Sequence, residues 1–134
     1  MRYLTDRKRA VGMGASKTGT EHHWFMQVTS FALLPLVILF VFTFGCALGG
    51  SYEEVVAYYS RPFPAIVALL TLWVGMMHFK SGAQMAIEDY VHGMKGRLTI
   101  IAVTCLAYAI AATGTYALIK LALSASGVMI EIDV

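Results

Sequence analysis

The sequence predicts an all-α integral membrane protein with three transmembrane helices. Of its 134 residues, 58% are hydrophobic and 13% are charged, whereas soluble domains are about half apolar and about a quarter charged. The mean hydropathy is +0.68. A helix needs about 20 apolar residues to cross the hydrocarbon core of a bilayer, and three stretches qualify: about 24–48, 64–90 and 98–123. The remaining segments are too short to form a soluble domain.

The residues before the first span form a basic N-terminal arm over 1–20, which is expected to be largely irregular. It carries five of the ten Lys and Arg residues, namely Arg2, Arg7, Lys8, Arg9 and Lys17. Positive charge collects on the cytoplasmic side of membrane proteins. The second loop carries Lys95 and Arg97, so the sequence predicts a cytoplasmic N-terminus and a cytoplasmic second loop.

The first span is expected to remain in the mature protein. A cleaved signal peptide is the alternative, but its apolar region spans only about 7–15 residues, and this apolar run is longer. Thr20 is a candidate N-cap for the helix. Pro35 lies inside the span, where membrane helices tolerate proline if neighbouring groups satisfy the freed carbonyl.

The connecting segments are short. Residues 52–60 are expected to form a short interfacial helix, 92–96 an inner turn, and 126–134 a C-terminal tail. Cys46 and Cys105 lie at opposite depths of the predicted bundle, so they are not expected to form a disulfide, which requires Cα atoms within about 7 Å. Together, 21–125 form the predicted anchor domain.

One stripe of the second span combines small residues with a histidine. Its members recur in steps of three and four, and so share one helix face: Thr71, Gly75, His78, Gly82, Met85 and Asp89. An ionisable residue at membrane depth is a functional-site hypothesis by default, and imidazole is a common ligand of haem iron. The stripe alone leaves two alternatives open, a haem ligand or a histidine hydrogen-bonded between helices.

A polar cluster follows at the inner end of the same span. Its members are Lys80, Gln84, Glu88, Asp89, Tyr90 and His92. At about 1.5 Å per residue, Asp89 and Tyr90 lie roughly 16–18 Å from His78. These residue types are also typical of an ordinary membrane interface, where Tyr residues form an aromatic belt.

The pattern His78-Phe-Lys-Ser-Gly82 followed by Glu88-Asp89-Tyr90-Val91 resembles the small membrane-anchor subunit, the D subunit, of succinate dehydrogenase (complex II). The resemblance implies that His78 is an axial ligand of haem b and that Tyr90 hydrogen-bonds ubiquinone, with Asp89 close to that site. The segment that starts at Thr20 resembles the family's start of helix 1, which makes His22 or His23 a candidate partner of the haem propionates.

The resemblance also implies partners and a location. Three helices of this kind form half of a heterodimeric bundle with a cytochrome b large anchor subunit, which shares the haem. The complex acts in the tricarboxylic acid cycle and respiratory chain of the bacterial inner membrane. FAD and iron–sulfur clusters are expected only in the flavoprotein and iron–sulfur subunits, because no cysteine motif for a cluster is present. Membrane lipid is an expected partner and nucleic acid is not.

Two alternative functions remain open at the level of sequence. The first is an anchor of fumarate reductase, because nothing in the sequence fixes the direction of electron flow. The second is a non-redox assembly or transport subunit in which His78 only bonds two helices together. One departure from the family is visible, because some members have an Arg where this chain reads Val28-Thr29.

Overall fold

The computed structural model describes residues 5–12, 14 and 20–124, and all regular structure in these ranges is α-helical. The helices are α1 (Asp6–Val11), α2 (Glu21–Ala47), α3 (Tyr52–Tyr59), α4 (Pro62–Tyr90) and α5 (Gly93–Ser124). Helices α2, α4 and α5 are each long and apolar enough to cross a membrane. The predicted all-α membrane fold with three spans is therefore confirmed. The predicted tail 126–134 lies outside the described residues.

Helix α1 departs from the irregular conformation expected of the arm. The Thr5 hydroxyl accepts a hydrogen bond from the Lys8 amide at 3.3 Å, which caps the helix N-terminus. Asp6 lies in the first turn and Arg9 in the last, so both charges favour the helix dipole. Gly12, with φ +53°, follows the last helical residue. A single helical turn and a half thus forms within the basic arm.

Helix α2 begins at Glu21, three residues before the predicted apolar span, and its N-terminus lacks the expected side-chain cap. Thr20 occupies the N-cap position, but its hydroxyl makes no capping hydrogen bond. Its backbone is already helical, with φ −96° and ψ −17°, whereas a capping residue usually has an extended backbone. The helix runs through Pro35 without a break.

Helix α3 confirms the short helix expected after the first span. Ser51 and Glu54 form a capping box, in which the Glu54 amide donates to the Ser51 hydroxyl at 3.4 Å and the Ser51 amide donates to the Glu54 carboxylate at 2.8 Å. Tyr59 at its end is buried. Burial raises the pKa of the Tyr59 phenol, and the neighbouring Tyr58 raises it further.

The three spans form a row with α4 in the middle. Helix α4 packs against both α2 and α5, whereas no Cα atoms of α2 and α5 lie within 8 Å of each other in the described part of the chain. The bond from the Trp73 indole N–H to the Thr115 hydroxyl, 2.9 Å long, joins α4 to α5. Further along, the Lys80 ammonium lies 5.5 Å from the centre of the Tyr108 ring, which is cation–π distance. The row leaves most side chains of α2 on the surface.

The turn between α4 and α5 depends on two glycines. Gly93 has φ +75°, a backbone conformation that only glycine adopts easily. Gly96 is buried, and a Cβ placed on it would overlap the Val91 carbonyl oxygen. This carbonyl belongs to the backbone, so it cannot move aside as a flexible side chain can. The two glycines allow α5 to start directly after α4.

We expect Gly96→Ala to destabilise the protein by about 1–3 kcal/mol, because the added methyl group has no space. The thermal midpoint of the complex purified in mild detergent measures this loss. The matched control is Gly45→Ala in α2, where an added Cβ would meet no atom within 4 Å. Equal midpoints for the two variants would contradict the close approach of Gly96 to Val91.

Candidate functional site

The predicted small-residue stripe of α4 faces α2 from Thr71 to Gly82. A Cβ added to Gly75 would lie 4.0 Å from the Leu33 side chain, and one added to Gly82 would lie 3.6 Å from the Met26 side chain. Between these two levels, His78 meets Thr29. Each of these contacts joins one residue of α4 to one residue of α2, and the residue numbers rise along α4 as they fall along α2 because the two helices are antiparallel.

Thr71 lies at the far end of the same interface, beyond Gly75. Its hydroxyl lies 2.7 Å from the Val67 carbonyl of its own helix and 3.4 Å from the Leu36 carbonyl of α2. The contacting residues of α2 therefore recur in steps of three and four, which is the repeat of one helix face. Side chains of α2 cover the helix surface at Gly75 and Gly82.

His78 is tied to α2 by one ring nitrogen. Its Nδ1 atom lies 2.9 Å from the Thr29 hydroxyl oxygen. The same hydroxyl lies 2.8 Å from the Phe25 carbonyl and 3.1 Å from the Met26 carbonyl, both within α2. The interhelical hydrogen bond that the sequence left as one alternative for His78 therefore exists. It occupies only Nδ1.

The second ring nitrogen of His78 has a different environment. Among the described residues, Nε2 makes no hydrogen bond. No buried nitrogen or oxygen of the described side chains lacks a hydrogen-bond partner, so Nε2, which has none, is at least partly accessible. The interhelical bond and a metal bond are thus compatible, because they use different nitrogens of the ring.

The donor set fits a haem held by one side chain of this protein. Within the described ranges, no three His, Cys, Asp or Glu residues lie close enough to hold a metal ion together. A haem iron takes its equatorial ligands from the porphyrin and needs only axial side chains. His78 offers one accessible imidazole nitrogen, so this chain would supply one side-chain ligand to a haem that it shares with a partner subunit.

The predicted quinone residues lie at the C-terminal end of α4, and their side chains are exposed. Tyr90 is the last helical residue and is 85% exposed, and Asp89 beside it is also exposed. Neither side chain makes a hydrogen bond to another described residue. Tyr90 follows His78 by twelve residues, which is about 18 Å along a helix. The structure therefore keeps the candidate haem ligand and the candidate quinone contact apart.

The other members of the inner cluster divide into two groups. The Gln84 amide donates a 2.8 Å hydrogen bond to the Glu88 carboxylate within α4. Lys80 does not join them, because its ammonium lies over the Tyr108 ring of α5. Lys80, which the sequence grouped with these residues, therefore contacts α5 instead. The cause is helix geometry, since Lys80 lies on the face of α4 that packs against α5.

Two clefts in the described part of the chain bear on the site. The first has a volume of about 550 Å³ and lies at the turn between α4 and α5, where Glu88, His92 and Arg97 line it. The second, of about 590 Å³, is almost entirely apolar and is lined by residues of α2, α3, α4 and α5 toward the opposite end of the bundle. The first cleft borders the helix end that carries Tyr90, although Tyr90 itself is not part of its lining.

Both candidate propionate partners lie in the first turn of α2 and are exposed. They differ in the face they occupy. The α2 residues that contact α4 recur every three or four positions, and four positions before Met26 is His22. His22 therefore shares a face with Thr29 and Met26, whereas His23 lies on the next face around the helix. His22 precedes Thr29 by seven residues, about 10 Å toward the inner end.

Sequence reasoning missed Thr29 as a neighbour of His78. The stripe was recognised on α4 alone, and Thr29 entered only as part of the position where some relatives carry an Arg. A signal was present, because Met26, Thr29, Leu33 and Leu36 repeat the spacing of the α4 stripe. Reading the two stripes in opposite directions places Thr29 at the level of His78.

Comparisons with known proteins identify the family of the chain. The family model described as "Succinate dehydrogenase/Fumarate reductase transmembrane subunit" matches residues 1–116. The chain belongs to this family. The succinate dehydrogenase hydrophobic membrane anchor subunit of Paracoccus denitrificans is 42% identical over 125 residues, which cover 93% of this chain and 97% of the relative.

More distant relatives carry similar descriptions. The succinate dehydrogenase membrane anchor subunit of Reclinomonas americana is 28% identical, over 64% of this chain and 74% of the relative. The hydrophobic membrane anchor subunit of Rickettsia prowazekii is 28% identical, over 73% of this chain and 78% of the relative. No solved structure matches the chain significantly.

Within its family the chain is a membrane anchor subunit of succinate dehydrogenase, an enzyme complex. The anchor subunit is a multi-pass membrane protein with three apolar helices. As an anchor it has partner subunits in the complex. The suspected family resemblance is thereby confirmed.

Proposed function

We propose that this anchor subunit holds succinate dehydrogenase in the bacterial inner membrane, supplies His78 as one axial ligand of haem b, and contributes Tyr90 and Asp89 to a ubiquinone-reducing site. The proposal rests on one observation: the two ring nitrogens of His78 have different environments. Thr29 engages Nδ1 within the bundle, and Nε2 stays accessible, where it would bind a group shared with a second subunit.

His78 would hold haem b through Nε2, and the second axial ligand would come from the cytochrome b large anchor subunit. Haem b, when bound, stores and passes on electrons near the quinone site. Helix α4 supplies a rigid support for the imidazole, because it packs against helices on both sides. His22, on the same face of α2 as Thr29, is better placed than His23 to pair with a propionate.

At the inner end of α4, the exposed Tyr90 phenol would donate a hydrogen bond to a carbonyl oxygen of ubiquinone. This bond orients the ring and stabilises negative charge as electrons arrive. Asp89 accepts hydrogen bonds but cannot donate them when ionised. It would therefore position a basic group of a neighbouring subunit or deliver protons to the reduced quinone.

The flavoprotein and iron–sulfur subunits would dock on the inner face, beside the α4–α5 turn. Lys95 and Arg97 supply positive charge there. The matched relatives are described as succinate dehydrogenase anchors, which favours succinate oxidation over fumarate reduction as the physiological direction.

The orientation of the chain has its own expected result. In intact cells, a membrane-impermeant thiol reagent should label Tyr52→Cys, and it should label Met94→Cys only after the membrane is opened. Both parent residues are exposed, and charge bias puts the basic α4–α5 turn inside. Cys46 and Cys105 are replaced by Ala beforehand, since both are free thiols. Labelling in the opposite order would place Tyr90 on the wrong side for the inner docking face.

Purification through an affinity tag on this subunit, in mild detergent, tests the proposed function as a whole. We expect a flavoprotein, an iron–sulfur protein and a second anchor to co-purify, with succinate-driven ubiquinone reduction and a b-type haem. Isolation of the chain with none of these partners would instead support the non-redox assembly or transport role.

A further inference from the structure

We propose that Thr29 is a positioning residue for the haem ligand: its hydroxyl accepts the Nδ1–H of His78, which fixes the tautomer whose Nε2 lone pair faces the iron. The inference rests on the proposed ligation by His78. It adds a residue that the sequence pattern of α4 does not contain, and it explains how α2 participates in the haem site.

The direction of the hydrogen bond follows from the proton count at Thr29. A threonine hydroxyl has one proton, and its oxygen lies 2.8 Å from the Phe25 carbonyl and 3.1 Å from the Met26 carbonyl. Both carbonyls can only accept, so the hydroxyl proton goes to them. The contact to His78 Nδ1 at 2.9 Å is then made with the hydroxyl oxygen as acceptor.

The tautomer of His78 follows in turn. A neutral imidazole has one protonated and one unprotonated nitrogen. If Nδ1 donates to Thr29, the proton lies on Nδ1 and Nε2 keeps its lone pair. Nε2 is also the nitrogen without a hydrogen bond to the described residues. Metal-binding histidines commonly donate their other N–H to an oxygen in this way, which orients the ring and raises ligand basicity.

The burial of Thr29 strengthens the bond. Thr29 is 8% exposed and lies between α2 and α4, where a low local dielectric strengthens hydrogen bonds. Thr43, the other buried residue of α2, is 6% exposed and donates to the Phe40 carbonyl of its own helix. Thr43 thus matches Thr29 in helix, burial and residue type but has no contact with His78.

The test is Thr29→Val, which replaces the hydroxyl by a methyl group of similar size. We expect the purified complex to keep its haem, with a midpoint potential shifted to more positive values. Without the acceptor, the imidazole donates less electron density and stabilises the oxidised iron less. The electron paramagnetic resonance spectrum of the oxidised haem should change as well. Potentiometric titration of the b-type absorption measures the shift.

Three further variants make the result specific. Thr29→Ser keeps the hydroxyl and should restore the wild-type potential and spectrum, and the matched control Thr43→Val should leave both unchanged. Thr29→Ala removes the hydroxyl without adding a branch and gives the same readout if Thr29→Val fails to assemble.

Two results would overturn the inference. A haem-loaded Thr29→Val or Thr29→Ala complex with wild-type potential and spectrum would show that the Thr29 hydroxyl does not act on the ligand, while the proposed function would stand. If the wild-type complex contained no haem b, His78 would have no haem iron to bind, and both proposals would be wrong.

Discussion

His78→Ala should abolish the low-spin haem b signal of the complex, the largest spectroscopic effect expected from any single change in this chain. If His78 holds the haem as proposed, the substitution removes one ligand of the iron. It also removes the side chain that meets Thr29 across the α2–α4 interface, so the complex should assemble less well. Haem content and the reduced-minus-oxidised spectrum of the purified complex measure the effect.

The control for this prediction is Met77→Leu. Met77 is adjacent to His78 in α4, and a methionine to leucine exchange nearly conserves volume. This variant should keep both the haem and the yield of complex. An unchanged low-spin spectrum in His78→Ala would assign the iron ligand to another residue and return His78 to a purely interhelical role.

Tyr90→Phe should lower ubiquinone reduction by on the order of tenfold or more, a loss of about 1.4 kcal/mol of transition-state stabilisation or greater. The exchange keeps the aromatic ring and removes only the hydroxyl donor. Tyr90 makes no hydrogen bond to another described residue, so the fold should not depend on it. Succinate oxidation with an artificial acceptor that takes electrons upstream of the quinone should persist.

The matched control is Tyr52→Phe at the opposite end of the bundle. Tyr52 is 78% exposed and Tyr90 is 85% exposed, so the two changes alter similar surfaces. Tyr52→Phe should leave quinone reduction unchanged. A Tyr90→Phe complex with the wild-type rate and KM would make Tyr90 an interfacial anchor without a role in quinone binding.

Composition and periodicity sufficed to predict the membrane fold. Long apolar runs specify spanning helices because the bilayer leaves few alternatives, and each span was found within a few residues of its predicted bounds. The position of His78 on a stripe of small residues was likewise visible, because helix periodicity alone determines which side chains share a face.

Features that depend on contacts between helices were not visible in the sequence. The row order with α4 in the middle and the contact of Lys80 with Tyr108 arise from packing between spans, which a single-helix pattern does not encode. Thr29 is the clearest case. A threonine in an apolar span looks like an ordinary packing residue until the antiparallel register places it beside His78.

Local backbone conformation accounts for the differences at the N-terminus. Thr20 has the residue type of an N-cap, but its helical φ and ψ prevent the side chain from capping α2. Thr5 has the extended backbone that capping requires, and its hydroxyl does cap α1. Residue type alone did not distinguish the two threonines.

The most direct test of the central claim is the visible spectrum of the complex purified through this subunit, recorded before and after addition of succinate. A haem b held by His78 within succinate dehydrogenase should appear as a b-type band that succinate reduces and ubiquinone reoxidises. Absence of any b-type band from an active, fully assembled complex would contradict haem ligation by this chain.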